Sequence, residues 1–220
     1  MPAKKKTNAR SSAKLHFSKK EAIDFGFELA KKNIVFFISL FVIVVVISAI
    51  FNSLQFEAMA RSGWPGYALM NVVSFVVNLI VGIGLIKITL EFIDKKKPKF
   101  KDLFYTKPLW YFFLGTLIKT VITIIGFILL IIPGIVLAIR LQYATYLIVD
   151  KNMHPVDAIK KSWDMTRGNT WNLFFFGIIL CLINILGAVL LLVGLFITVP
   201  LTMLATTFVY RKLLLQYKAA

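Results

Sequence analysis

Apolar residues in this chain come in long unbroken runs, not in the alternation of a half-buried strand or the narrow stripe of a surface helix. At about 20 apolar residues per bilayer crossing, the runs fall at 34–54, 67–93, 109–132, 134–149, 171–193 and 195–210. The expected fold is therefore all-α: a polytopic integral membrane protein of six transmembrane helices arranged as three hairpins. Runs three and four together would make a helix of roughly 60 Å, twice the thickness of a bilayer core. The chain must turn there, and Pro133-Gly134 is the expected site, since proline removes a helix donor and glycine admits positive φ.

Each hairpin is preceded by a shorter amphipathic segment, expected to lie as an elbow helix in the cytoplasmic headgroup region. In residues 18–32, Ser18 and Glu21 fit a capping box, and Ile23, Phe25, Phe27 and Leu29 oppose Asp24, Glu28 and Lys31. In 155–166, Pro155 suits a first helical turn, and Val156, Ile159 and Trp163 face away from the pairs Asp157/Lys161 and Lys160/Asp164. A shorter version runs from Lys99 to Leu109. Laying 110–150 over 171–211 with a shift of 61 also exposes an internal repeat. Trp110 meets Trp171, Phe113 meets Phe174, Gly126 meets Gly187, Leu130 meets Leu191, and the Pro133 turn meets Gly194.

The composition agrees with this division: 59% hydrophobic residues in 220 and a mean hydropathy of +0.80 leave lipid, not water, around most of the apolar surface. Residues 1–17 are expected to form a basic, disordered cytoplasmic tail, and 18–220 one six-helix transmembrane domain. A net charge of +16 could suggest nucleic acid, but the position of the cations decides otherwise. Nine Lys and Arg lie in 1–33, six in 94–108, four in 150–170 and three after 210, against Arg61 alone on the other side. The positive-inside rule then leads to the expectation that both termini lie in the cytoplasm. With a polar start of about 33 residues, a cleaved signal peptide is not expected. The stretch from Lys4 to Lys20, with seven cations and no acid, is suited to an anionic leaflet.

The stretch from Ile132 to Gly177 reads IPGIVLAIRLQYATYLIVDKNMHPVDAIKKSWDMTRGNTWNLFFFG. It resembles a broad group of poorly characterised prokaryotic membrane proteins that includes the membrane domain of some glycerophosphoryl diester phosphodiesterases. The matching positions are Pro133 and Gly134 of the turn, the intramembrane Arg140, Ala158 and Ser162 of the elbow helix, and the pair Arg167-Gly168. The resemblance implies a fold without an agreed activity, and a prokaryotic plasma (inner) membrane as its location. The resemblance does not extend to the soluble phosphodiesterase domain, so it does not imply that domain's catalysis.

Arg140 and Lys119 are the candidate binding residues. Both are cations inside apolar runs, where a charge costs several kcal/mol unless partnered. Both break the repeat, whose equivalent positions are Leu201 and Leu180. Thr116, Thr120 and Thr123 share a face with Lys119. Two accounts stand open: the cations receive an anionic group between helices, or Arg140 satisfies carbonyls bared at the Pro133-Gly134 break while Lys119 snorkels to the interface. Lys87 and Glu91 suit an intrahelical ion pair. Asn71, Ser74, Asn78 and Gly82, and again Gly177, Cys181, Asn184 and Ala188, read as packing seams.

Other chemistry is thin. A single cysteine, Cys181, excludes an intrachain disulfide, and His16 and His154 lack a third metal ligand nearby. Gly82-x-Gly84-x-x-Lys87 has no strand before it to make a phosphate loop, and no catalytic triad or carboxylate pair is evident. The expectation is a protein without enzymatic activity or cofactor that binds or translocates an anionic, lipid-like molecule, its partners being anionic membrane lipids. The alternative is a scaffold or accessory subunit of a membrane complex, with a membrane-protein partner or homo-oligomer. Nucleic acid is disfavoured because no groove-reading element accompanies the charge.

Overall fold

A computed structural model describes residues 17–189 and 194–219. Among these residues there is helix and no strand, in the order α1 (Lys19–Lys32), α2 (Ile34–Ile93), a 3-10 turn (Phe100–Phe104), α3 (Leu109–Leu129), α4 (Ile131–Leu141), α5 (Ala144–Lys151), α6 (Pro155–Met165), α7 (Thr170–Val189) and α8 (Leu195–Ala219). All of the basic tail except Phe17 lies outside the described residues, as do His16 and Leu191. Four stretches are long and apolar enough to cross a membrane: α2, α3, α4 with α5, and α7. In α8, Thr198, Thr202, Thr206, Thr207 and Pro200 dilute the apolar residues.

A straight α2 would extend about 90 Å, but it folds back on itself at Gly63, whose φ of 62° and ψ of −151° suit glycine alone. Pro65 then falls in the first turn of the returning limb, where a missing N–H costs nothing. The limbs run antiparallel. Gln55 Nε2 donates to Ser74 Oγ at 2.6 Å, and at the other end the Phe37 and Phe92 rings lie 4.9 Å apart.

The next reversal is not at Pro133-Gly134. It falls at Leu130, an extended residue (φ −165°, ψ 150°) between α3 and α4. Pro133 sits in the first turn of α4, which needs no donor from it. Gly134 is a contact point, since a side chain there would strike Phe127 of α3. The neighbouring Gly126 meets Leu137 of α4. Sixty-one residues on, Gly187 meets Thr198 in the same way. The ring pairs Trp110–Phe113 (5.7 Å) and Trp171–Phe174 (5.9 Å) recur at the same shift, so three of the aligned positions make equivalent contacts in α3–α4 and in α7–α8.

In the amphipathic helices the fully buried positions lie outside the expected apolar arcs, while Ile23 and Leu29 of α1 and Ile159 of α6 are half-buried against the core. In α1, Ser18 Oγ accepts from the Glu21 N–H at 3.2 Å, as a cap should. The buried side, however, is Ala22, Gly26 and Ala30, while Phe27 is exposed. These small residues let α1 lie closely along α8, where Gly26 meets Leu201 and Ala205, Phe25 stacks on Phe208 at 4.6 Å and Lys212 reaches Glu21 at 3.0 Å. In α6 the buried residues are Pro155, Ala158, Ser162 and Met165, and Val156 is exposed. Neither Asp157/Lys161 nor Lys160/Asp164 forms an ion pair among the described residues; Lys161 instead lies 5.5 Å from the Tyr217 ring. Before α3, Gly84 permits the Leu103 backbone of the 3-10 turn to sit directly on α2.

Candidate functional site

Arg140 lies one residue before the end of α4, and the helix breaks at Gln142-Tyr143 before α5 begins. A helix end leaves carbonyls without partners, and α6 meets this need from both directions. Ser162 Oγ donates to the Arg140 carbonyl at 2.8 Å, and Thr166 Oγ1 is 3.3 Å from it. In return Arg140 Nη2 donates to the Trp163 carbonyl at 2.9 Å, and its guanidinium carbon is 3.3 Å from the Trp163 ring centre, a stacked cation–π contact. Arg140 thus ties down a carbonyl, but that of Trp163 at the end of α6 and not one at the α3–α4 reversal. Ala158, fully buried, lets α6 approach. Gly168, with φ 85°, turns the chain from α6 into α7, and Arg167 beside it is exposed.

Lys119 is half-buried on α3, and among the described residues no carboxylate lies within 4.0 Å of it. The α3–α4 pairing, with Gly126 against Gly134, brings Lys119 level with the end of α4 two turns on. No bond joins it to Arg140, which is turned towards α6. The threonine stripe divides: Thr123 Oγ1 donates to the Lys119 carbonyl at 2.8 Å, Thr120 is exposed, and the buried Thr116 Oγ1 has no partner. One turn from Lys119, Ile122 borders an open groove of about 400 Å³ between α3, α4 and α6, lined also by Leu137, Leu141, Ile159, Lys160, Trp163 and Asp164. This groove has a largely apolar floor and a rim that carries charge.

Two polar clusters escaped the sequence reading in whole or part. Arg211 of α8 grips Asp150 of α5 with both terminal nitrogens, at 2.7 and 3.0 Å. Its Nη2 also reaches Asp94, at the end of α2, at 2.6 Å. Tyr210 adds its hydroxyl to Asp150 at 2.9 Å. Burial works against the charged guanidinium, yet Asp150 and Asp94 outweigh it and hold the Arg211 pKa above the usual arginine value. The only sequence signal is the repeat, because Asp150 and Arg211 are equivalent at shift 61. The second cluster extends the expected Lys87–Glu91 pair (3.7 Å) to Asp102, 3.8 Å away, and to the Tyr105 ring, 3.8 Å from Lys87 Nζ.

A family model described as "Domain of unknown function (DUF7847)" matches residues 63–216. The chain belongs to this family. The DUF7847 segment starts at the Gly63 turn and ends within α8, so it holds Lys119, Arg140, the α3–α4–α6 groove and the Arg211 clamp, and omits α1 and the first limb of α2. The uncharacterized protein Rv2560 of Mycobacterium tuberculosis (strain ATCC 25618 / H37Rv) is 26% identical over 139 residues, which are 63% of this chain and 43% of that protein. The uncharacterized protein Mb2590 of Mycobacterium bovis (strain ATCC BAA-935 / AF2122/97) matches over the same shares at the same identity. The chain therefore spans less than half the length of these relatives. No solved structure matches it.

Within the DUF7847 segment the two expected seams differ. Ser74 is buried and bonded across the α2 hairpin, and Gly82 faces Phe112 of α3. On α7 only Asn184 finds a neighbour, Thr202 of α8 at 3.3 Å. Gly177, Cys181 and Ala188 are exposed. His154 precedes α6 with its ring 5.6 Å from Tyr111.

Proposed function

We propose that this DUF7847 protein is a multi-pass protein of a prokaryotic plasma membrane, crossing it six times with both ends in the cytoplasm. We propose further that it binds an anionic amphiphile without catalysing a reaction. The two limbs of α2, α3, α4 continued by α5, α7 and α8 would be the crossings. Exposed Trp110 and Trp171 at the starts of α3 and α7, and exposed Trp64 at the tip of α2, suit the aromatic belts of two interfaces. The resemblance to phosphodiesterase-attached membrane domains is carried by residues 132–177 of the sequence.

The observation that carries the binding reading is Lys119: a half-buried cation on a candidate crossing, without a carboxylate partner among the described residues, one turn from an apolar groove whose rim bears Lys160. An acyl chain fits the wall of Ile122, Leu137 and Leu141, and a phosphate or carboxylate would neutralise the lysines. Arg140 takes the structural share, being already bound to α6. Mass spectrometry of lipid retained by the detergent-purified protein tests this. Lys119→Gln should lower the anionic lipid per folded molecule several-fold at near-normal expression, whereas Arg140→Gln should lower the melting temperature. Unchanged retention in Lys119→Gln would remove the reading. The scaffold reading is favoured by the open Gly177–Cys181–Ala188 face of α7, and a stoichiometric protein partner recovered in place of lipid would select it.

A further inference from the structure

On the far side of α4 from the Lys119 groove, a second groove of about 450 Å³ separates α4 from α7, a volume in the range of ligand pockets. Ile132, Ile135, Val136 and Ile139 form its α4 wall, at the i, i+3, i+4, i+7 spacing of one helix face, and Trp171 and Phe174 form its α7 wall. Gly168 and Thr170 close one end. We propose that this groove seats one anionic phospholipid, with an acyl chain along α4 and the phosphate at the amino terminus of α7 beside Arg167.

Charge complementarity selects this occupant. The first backbone bond of α7 runs from the Leu173 N–H to the Asn169 carbonyl at 2.9 Å, so the N–H groups of the three preceding residues have no acceptor within the helix. Asn169 stands where a cap would, but its buried Oδ1 bonds nothing. The helix end thus keeps its donors and partial positive charge for an anion. Arg167, exposed, has no carboxylate within 4.0 Å among the described residues. A zwitterionic lipid would fill the apolar wall but bring a compensating cation to this end. The proposal rests on the membrane placement above and is independent of Lys119.

The test uses the full chain in phosphatidylcholine nanodiscs doped with phosphatidylglycerol that carries a photoactivatable group in mid-chain, with adducts mapped by mass spectrometry. Adducts on 132–139 and 170–174 should exceed those on the exposed first limb of α2 at least five-fold. They should fall several-fold in Arg167→Gln, recover in Arg167→Lys, and persist in Lys119→Gln. Filling the groove by Ile135→Trp should block them without lowering the melting temperature. Even labelling of all lipid-facing helices, equal labelling by the phosphatidylcholine analogue, or indifference to Arg167→Gln would overturn the site. Loss of groove labelling in Lys119→Gln would overturn its independence from the Lys119 site, whereas loss of retained lipid there with groove labelling intact supports both.

Discussion

Replacing Arg211 by Met tests whether the Asp150–Arg211–Asp94 cluster holds α2, α5 and α8 together. The side chains of Asp150 and Arg211 are only 9% and 17% exposed, so the substitution strands a carboxylate that water scarcely reaches. Two charge-assisted hydrogen bonds at about 1.5–3 kcal/mol each, and about 3–5 kcal/mol for breaking a buried pair from one side, bracket the cost. Tyr210 and the exposed Lys151, 3.2 Å away, retain part of the compensation, and the half-open contact to Asp94 is discounted for screening. The expected loss is about 3 kcal/mol. At roughly 2–4 °C per kcal/mol for a chain of this size, the melting temperature should fall by about 6–12 °C in a thermal scan of the detergent-purified protein. Asp150→Asn should restore much of the loss when combined with Arg211→Met, because the double variant contains neither buried charge and the two effects are coupled. A single variant melting within about 2 °C of the parent, or strict additivity in the cycle, would refute the reasoning.

For the proposed topology, in a Cys181→Ser background, a cysteine at Ser62 should react with an impermeant maleimide added to intact cells, whereas cysteines at Lys97 and Ala219 should not; labelling at Lys97 would rule out the six-crossing arrangement. Gly84→Ala should destabilise the protein by about 1–3 kcal/mol, since the new methyl meets the Leu103 backbone. Gly82→Ala, whose nearest neighbour is 3.8 Å away, should melt like the parent. Gly126→Ala and Gly187→Ala should cause similar losses if the two hairpins are equivalent, with Gly177→Ala, which meets nothing within 4 Å, as the silent control.

Helices and their lipid-compatible surface were legible because twenty-residue apolar runs leave little other choice. The details that failed depend on pairing between helices. Pro133 looks like a helix breaker, yet a proline in the first turn removes a donor that has no acceptor anyway, so the break moved to Leu130. In α1 the contact with α8 is made through Ala22, Gly26 and Ala30, whose small side chains carry little hydrophobic signal, so the apolar arc expected at the interface does not announce it. The partner of Arg140 lies 23 residues away on α6, and that of Asp150 is 61 residues away on α8. Neither pairing follows from local spacing.

The repeat nevertheless relates these two pairings. Position 140 and its equivalent 201 are Arg and Leu, and position 150 and its equivalent 211 are Asp and Arg. In the first hairpin the second helix breaks at Gln142-Tyr143, and the carbonyl this frees draws in Ser162 while Arg140 binds the end of α6. In the second hairpin α8 continues through Pro200, so position 201 can remain a buried Leu beneath Gly26. At the other end, identical residues at 150 and 211 would set like charges together, so the pseudo-equivalent sites can meet only if they differ. The departures at 140/201 and 150/211 therefore coincide with polar bonds between elements, Arg140 to α6 and Arg211 to α5 and Asp94. Lys119, opposite Leu180 in the repeat, departs from it without any such bond among the described residues, and for that reason we propose it as the cation that meets a ligand in the α3–α4–α6 groove.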